Sequence, residues 1–271
     1  MNHLAPASVV IPLKNWHGAI SLSLKSILNG TLDPEEIVIV DDKSSDNAAR
    51  WLARKIRKKK PWIQVTYLRT NGVGAGKARQ IGITAATRPW IAFLDSDDYW
   101  PPDYLQKRIS LVNAGYAFIC GPYQYTREDG KALVTTRLKK STISRWRLLL
   151  SNPIANSSVL CSRSLILDSG GYSELYARND YATWLRIAWR NRGSIHYDPN
   201  GPTVLVTRRN ASLSSNKAKM IIYNFKAFRE AGFSKGTATT LTLINAANFL
   251  IRYLHIQSGL IMSWVDRSSS D

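Results

Sequence analysis

Two rhythms of apolar and polar positions run through the first 120 residues. Ser8–Leu13 and Glu36–Val40 are β-branched runs with little polar interruption, the pattern of strands covered on both faces. Pro12 near the end of the first run predicts that this strand stops there and a loop follows. Between the two, Ile20, Leu24, Ile27 and Leu28 recur at helical spacing, so a helix is expected over Ala19–Leu28, ended by Asn29 and Gly30. Asp41, Asp42, Ser44, Ser45 and Asp46 supply a loop and a cap for a second helix through about Lys59, which Pro61 terminates. Ile63–Leu68, Trp90–Leu94 and Ala117–Cys120 read as further strands, with helices over Lys77–Ala86 and Tyr104–Val112. Strand and helix alternate without a hairpin signal. The fold class expected is therefore α/β, a Rossmann-like doubly wound, mostly parallel sheet whose ligand site lies beyond the carboxyl ends of its strands.

Beyond Gly121 the pattern changes. Glu128-Asp129-Gly130 predicts a hairpin within Tyr123–Val134. Ser144–Leu150 reads as a short helix, Asn156–Leu160 as a strand or extended segment, Tyr181–Trp189 as a helix and Pro202–Val206 as a strand. Ala218–Val265 is expected to be largely helical, with a break near Gly232–Gly236. The organisation expected is one unit over residues 1–215, with a first part to about 120 and a second part from 121. A helical extension covers 216–271.

Carboxylates and glycines gather where strands end. Asp95, Ser96, Asp97 and Asp98 follow the Trp90–Leu94 run directly. Like charges are costly in a core, so their crowding at a strand terminus suggests an open site for a cation, or for a polyphosphate held through one. The alternative is an acidic turn capping the helix after Pro101-Pro102. Asp41 and Asp42 repeat the arrangement, and a carboxylate there can accept the imide N–H of a uracil ring. An Asx turn is the plainer reading. Gly72, Gly74 and Gly76 precede Lys77 and Arg79, letting backbone approach a nucleotide while a cation faces a phosphate or pairs with an acid of the site. Asp180 stands at the start of a helix, where capping competes with chemistry.

Composition narrows the class. The chain has 271 residues, 44% of them hydrophobic, with nine Trp and twelve Tyr, enough for a globular core. Its two cysteines, Cys120 and Cys161, are too few for a disulfide framework and read as buried thiols in a reducing compartment. No secretory pattern opens the sequence, and Leu241–Val265 is too interrupted by Asn245, Asn248, Arg252, His255 and Gln257 to read as a span. The expected location is the cytoplasm. The formal charge of +18 attracts polyanions. Basic clusters lie at Arg50–Lys60, at Arg137–Arg147 and at Arg186, Arg190 and Arg192. They suit peripheral contact with an anionic membrane at the cytoplasmic face of the inner membrane, or simply solvated faces. A basic nucleic-acid-binding protein would use the same charge but leaves the acidic strand ends unexplained. A nucleotidyltransferase would use paired Asp, yet Lys14-Asn15-Trp16-His17-Gly18 is a poor match to its glycine loop.

Taken together, these elements resemble the inverting family 2 glycosyltransferases of the GT-A fold. The resemblance rests on Val9-Val10-Ile11-Pro12, Val40-Asp41-Asp42-Lys43-Ser44-Ser45-Asp46, Gly74 through Ala78-Arg79, Leu94 to Asp98, and Asn179 to Arg186, in family order over roughly residues 8–215. It implies sugar transfer from a nucleotide-sugar, UDP-sugar favoured, to a glycan or lipid-linked acceptor in surface-polysaccharide or lipopolysaccharide synthesis. Donor-binding positions would be Pro12, Asp41, Asp42, Gly74, Lys77, Arg79, Asp95 and Ser96. Asp97 and Asp95 would hold Mn²⁺ or Mg²⁺, Asp180 would be the general base, and Arg208 and Arg209 would contact phosphate. The chain departs from the family at Asn179, where Glu is usual, at Gln80 for Asn, and at Asn210, where many members carry His.

Overall fold

The computed structural model describes residues 4–15, 20–127, 129–191, 195–208 and 217–257. Eleven strands and nine α-helices occur among them. In chain order the first half runs β1 (Leu4–Leu13), α1 (Ile20–Asn29), β2 (Asp33–Asp42), α2 (Ala48–Lys59), β3 (Gln64–Thr70), α3 (Ala75–Ala85), β4 (Trp90–Phe93), α4 (Tyr104–Asn113) and β5 (Phe118–Cys120). The second half runs β6 (Tyr123–Thr126), β7 (Ala132–Thr136), β8 (Thr142–Ile143), α5 (Arg145–Leu150), a 3₁₀ turn (Asn156–Ser158), β9 (Leu160–Ser162), α6 (Arg163–Asp168), α7 (Asn179–Arg190), β10 (Ile195–Tyr197) and β11 (Val204–Thr207). The helices α8 (Lys217–Glu230) and α9 (Lys235–Gln257) follow.

Eight strands form one sheet in the order β3-β2-β1-β4-β9-β5-β10-β8. Strands β3, β2, β1 and β4 are parallel, as the alternation of elements requires, while β9 lies antiparallel between β4 and β5. The period of two explains the unbroken apolar runs. Val10, Val38 and Val40 enter one core with α3 and α7, while Val9, Ile11, Ile37 and Ile39 enter the other with α2 and α4. Both faces are covered. The chain leaves β1 outward to β2 and β3, then returns to β4 on the other flank of β1, which creates a switch point at the carboxyl ends of β1 and β4.

A smaller sheet, β11-β6-β7, closes one side of that opening, with the hairpin turn at Gly130 (φ 82°). Helices α8 and α9 pack on the body, burying Ala227, Phe228, Ala231 and Ala238 in the α7 core. Cys120 and Cys161 are free and buried.

Several expectations shift. Strand β1 begins four residues earlier than read, at Leu4, and pairs through Pro12 to Leu13. Asp41 and Asp42 sit inside β2 rather than after it, because β3 pairs with both. Asn156–Ser158 coils into a 3₁₀ turn and only Leu160–Ser162 extends. The short α6 and β10 have too few residues to show a period, and the break between α8 and α9 falls at Gly232 (φ 98°) as expected. Positions 258–265 of the expected helix lie outside the described residues.

Candidate active site

The acidic turn after β4 is built by hydrogen bonds that separate its three carboxylates into two kinds. The N–H of Leu94 still pairs with the Val10 carbonyl of β1 at 3.1 Å, and the Asp98 N–H returns to the Asp95 carbonyl at 3.0 Å, closing the turn. Asp98 points inward. Its carboxyl accepts the Ser157 hydroxyl at 2.5 Å and the Thr207 N–H at 3.0 Å, so it pins the turn to the 3₁₀ segment and to β11. Burial, and then the neighbouring charges of Asp97 and Asp95, push its pKa well above the ordinary carboxylate range. Asp95, Ser96 and Asp97 remain half-buried at the opening. The Asp95 N–H donates to Ser157 Oγ at 3.1 Å, and Asp95 Oδ1 accepts from Arg79 at 2.6 Å and from Asn156 at 3.1 Å. Thr207 Oγ1 donates to the Asp97 carbonyl at 2.5 Å.

This donor set suits a hard divalent cation in one mode. Among the described residues no group of three or more His, Cys, Asp and Glu forms a cage. Two carboxylates at an open strand end match the way Mg²⁺ or Mn²⁺ is held by one or two protein oxygens together with substrate phosphates.

The second acidic pair does different work from the first. Asp41 Oδ1 accepts the Ser44 N–H at 2.8 Å, and Oδ2 accepts from Tyr67 at 2.7 Å and from Arg69 at 2.8 Å. Burial opposes its charge, but the Ser44 hydrogen bonds, the Tyr67 hydroxyl and the Arg69 guanidinium outweigh it and hold the pKa low. The loop anchored by Asp41 is therefore stabilised above the ordinary carboxylate range and loosens as pH falls through the depressed pKa. Asp42 accepts from Thr70 Oγ1 at 2.6 Å, from the Val73 N–H at 2.6 Å and from the Gly74 N–H at 2.9 Å. It fastens the glycine loop to β2. Gly74 there has φ 88° and ψ 159°, a conformation closed to residues with a Cβ. Pro12 lies buried at the end of β1, opposite Val40 in the register.

The glycine loop leads into α3, which brings the third motif to the site. A Cβ on Gly76 would stand 2.5 Å from the Ser173 carbonyl and 3.0 Å from Asn179 Cβ, so only glycine lets α3 press against the start of α7. Three residues on, Arg79 is buried and forked. One nitrogen donates to Asp95 and the other to Asn179 Oδ1 at 3.1 Å. The adjacent Asp180 is half-buried and accepts from Asn152 Nδ2 at 3.1 Å. Burial raises the Asp180 pKa, against the opposing charges of Arg178 and Arg79 and the Tyr181 N–H, with Asp95 adding to the rise. Two residues before Asp180, Arg178 caps α7 in the left-handed region at φ 59°.

Other sequence-predicted positions are scattered. Lys77 pairs with Glu174 at 3.2 Å, both partners half-exposed. Gln80 accepts the Tyr172 N–H at 2.5 Å and so fixes the turn before α7. Arg208 is exposed, its guanidinium 5.9 Å from the Tyr125 ring, while Arg209 and Asn210 lie outside the described residues. Asn152, Asn156, Ser157 and Thr207 are not legible in the sequence as site residues. They come from segments with no charge cluster or glycine pattern, and only the fold brings them to the acidic turn.

Replacing Gly76 by Ala is expected to destabilise the protein by about 1–3 kcal/mol, because the contacts are backbone and cannot swing aside. The helix propensity of Ala offsets only about 1 kcal/mol of this. Urea unfolding of both proteins measures the difference, and an unchanged midpoint would show that the α3–α7 approach is slack.

Residues 8–166 match the profile of glycosyl transferase family 2. The putative teichuronic acid biosynthesis glycosyltransferase TuaG of Bacillus subtilis is 30% identical over 228 residues, covering 82% of this chain and 87% of its own. The fold is similar to that of S. aureus TarS (residues 1–349) in complex with UDP-GlcNAc, at a TM-score of 0.68 and 17% identity over 89% of this chain and 72% of that one. It is also similar to a mannosyltransferase from Pyrobaculum calidifontis in complex with GDP-Man and Mn²⁺, at a TM-score of 0.63 and 15% identity over 91% of this chain and 70% of that one. The acidic turn, the glycine loop and the Asp180 helix thus meet in a chain whose profile and relatives agree: it belongs to glycosyl transferase family 2, with relatives that build cell-surface polysaccharide.

Proposed function

We propose that this glycosyltransferase moves a sugar from a nucleoside diphosphate donor, a UDP-sugar, to a hydroxyl of a glycan or lipid-linked acceptor with inversion at the anomeric carbon. The observation that carries the reading is the Arg79 fork. One guanidinium touches Asp95 in the acidic turn and Asn179 beside Asp180, so the donor end and the base end of the site are held in one network. The catalytic unit is residues 1–215, with 216–271 as its helical extension.

Asp180 is the general base. Its carboxylate takes the proton of the acceptor hydroxyl as that oxygen bonds to the anomeric carbon, and the bond to the diphosphate oxygen breaks with its electron pair. Asn152 orients the carboxylate from the side. Asp97 and Asp95 would hold Mn²⁺ or Mg²⁺, which would supply charge neutralisation for the leaving diphosphate. Asp41 and the loop fastened by Asp42 form the wall for the nucleotide base, and the ion pair with Arg79 holds Asp95 in place. The UDP preference is supported by the UDP-GlcNAc captured in the TarS structure, and the metal by the Mn²⁺ of the mannosyltransferase.

A donor screen tests the reading. UDP-Glc, UDP-GlcNAc and GDP-Man are incubated with the protein and Mn²⁺ or Mg²⁺, and release of the nucleoside diphosphate is followed. The expected result is metal-dependent release from a UDP-sugar, with an inverted anomer in the NMR spectrum of the transfer product. Release from GDP-Man alone would reassign the base pocket, and a retained anomer would remove Asp180 from its role.

A further inference from the structure

Among the described residues three that carry a Cβ stand in left-handed backbone: Asn15 (φ 62°), Lys43 (φ 58°) and Arg178 (φ 59°). They follow β1, follow β2 and precede α7, the elements that build the cleft. Such backbone is strained for these residues, and strain of this kind gathers where a side chain has work to do. Asn15 has a structural use, since its Oδ1 accepts the Ser45 N–H at 2.7 Å. Lys43 lies along Gly72 of the glycine loop. Arg178 is different. Its guanidinium stands 5.7 Å from the Tyr181 ring, but its Nε is buried without a hydrogen-bond partner. Among the described residues the guanidinium donates no hydrogen bond and closes no ion pair.

The surroundings of Arg178 say what it could meet. Strand β11 runs beside β6 with Val206 opposite Tyr125, and the Arg208 N–H donates to the Thr126 carbonyl at 2.7 Å. That register sets the exposed Arg208 guanidinium 5.9 Å from the Tyr125 ring. Burial raises the Tyr125 pKa and Asp180 adds to the rise, while Tyr123, Arg208 and Arg178 oppose it. One half-buried phenol is thus within electrostatic reach of Asp180 and of two arginines. The donor side of the cleft is built otherwise, since the acidic turn there is served by Arg79, paired with Asp95 at 2.6 Å. Cations gathered around Asp180 suit an anion on the acceptor side.

We propose that Arg178 and Tyr125, with Arg208 at the rim, bind an oxyanion carried by the acceptor, a phosphate ester or a carboxylate, beside the hydroxyl that reacts at Asp180. This names the class of acceptor and rests on the reading of Asp180 as the base. A guanidinium presents its donors in a planar fork that matches two oxygens of a phosphate or a carboxylate, and a phenol O–H adds one more. The oxyanion would otherwise be repelled by the Asp180 carboxylate, and the arginines offset that repulsion. A neutral acceptor would leave the Arg178 Nε as it stands here, buried and without a partner, and that difference selects the acidic one.

Ligand-observed NMR titration of the full chain tests this, with Mn²⁺ and excess UDP present so that the donor site is filled. The probes are glucose 1-phosphate, glucuronic acid and the neutral methyl glucoside. At least one acidic probe should bind about tenfold or more tightly than the neutral one. Preference for the phosphate would identify a phosphorylated acceptor, and preference for glucuronic acid an acidic sugar; either supports the site. Arg178→Asn should remove the preference while the urea midpoint stays in place, because Asn tolerates left-handed backbone. Arg178→Lys keeps the charge without the fork and should lose only about threefold. Equal affinity for all three probes, a preference that survives Arg178→Asn, or one seen only when UDP is left out would each overturn the proposal. So would an Arg178→Asn protein in which only the pH dependence of kcat/KM moves, since Arg178 would then serve Asp180 alone. Asp180→Asn separates the two readings, because it removes a negative charge and should keep the anion preference. If it abolishes transfer while the wild type shows no preference, the base stands and the acceptor class falls. If transfer persists while the preference is present, the base reading falls instead.

Discussion

An Asp180→Asn protein should bind its donor within about threefold of wild type and transfer sugar about 10²–10⁴-fold more slowly, the range for loss of a positioned general base. Asn keeps the shape and can still meet Asn152, so the start of α7 should not move. The base reading also sets a sign for pH. Because burial raises the Asp180 pKa, the carboxylate loads with protons at a higher pH than a free Asp would. The rate kcat/KM should therefore climb with pH along a limb displaced above the ordinary carboxylate range, and that limb should vanish in Asp180→Asn. Measuring kcat/KM across pH 4 to 8, about the range a raised carboxylate spans, decides the matter. Near-wild-type transfer by the variant would place the base elsewhere.

Asp97→Ala should abolish metal-dependent turnover, a loss of about 10³-fold or more if the ion contributes several kcal/mol to the departing diphosphate. Its fold should persist, because Asp98 pins the turn to Ser157 and Thr207. Isothermal titration of Mn²⁺ in the presence of UDP gives a readout independent of turnover, and the variant should show weakened coupling between ion and nucleotide. Asp98→Ala makes the contrast. It leaves the Ser157 hydroxyl and the Thr207 N–H without their acceptor, so about 1–3 kcal/mol of stability should go. Wild-type activity in Asp97→Ala would be falsifying for the metal reading.

The parallel half of the sheet could be read from the chain because its physics is local. Val9-Val10-Ile11 and Ile37-Val38-Ile39 each present side chains to two cores, so their periodicity disappears into a run that still marks a covered strand. The carboxylates were legible for the same reason, being charges at the ends of such runs. What the acids do was less legible. Asp98 differs from Asp97 only by one position, yet the pleat and the turn send it to Ser157 and Thr207, some sixty and more than a hundred residues away. Asp42 reads as a possible ligand in sequence, but β3 pairing turns it into the clasp of the glycine loop. Asn179 looked like a lost charge beside the base. In the fold it accepts from Arg79, which leaves the second arm of that guanidinium for Asp95. Long-range partners such as Asn152 and Asn156 carry no local signal at all.

The antiparallel β9 between β4 and β5 has a consequence for how the chain can be cut and how it folds. β4 is completed on one flank by β1, more than eighty residues earlier, and on the other by β9, some seventy residues later. A fragment ending after β5 would contain every parallel strand of the nucleotide side and still present an open edge along β4. Such an edge invites pairing with another chain. The sheet also cannot close until residue 162 is available, so its slow contacts are non-local ones and the acidic turn hardens late in folding.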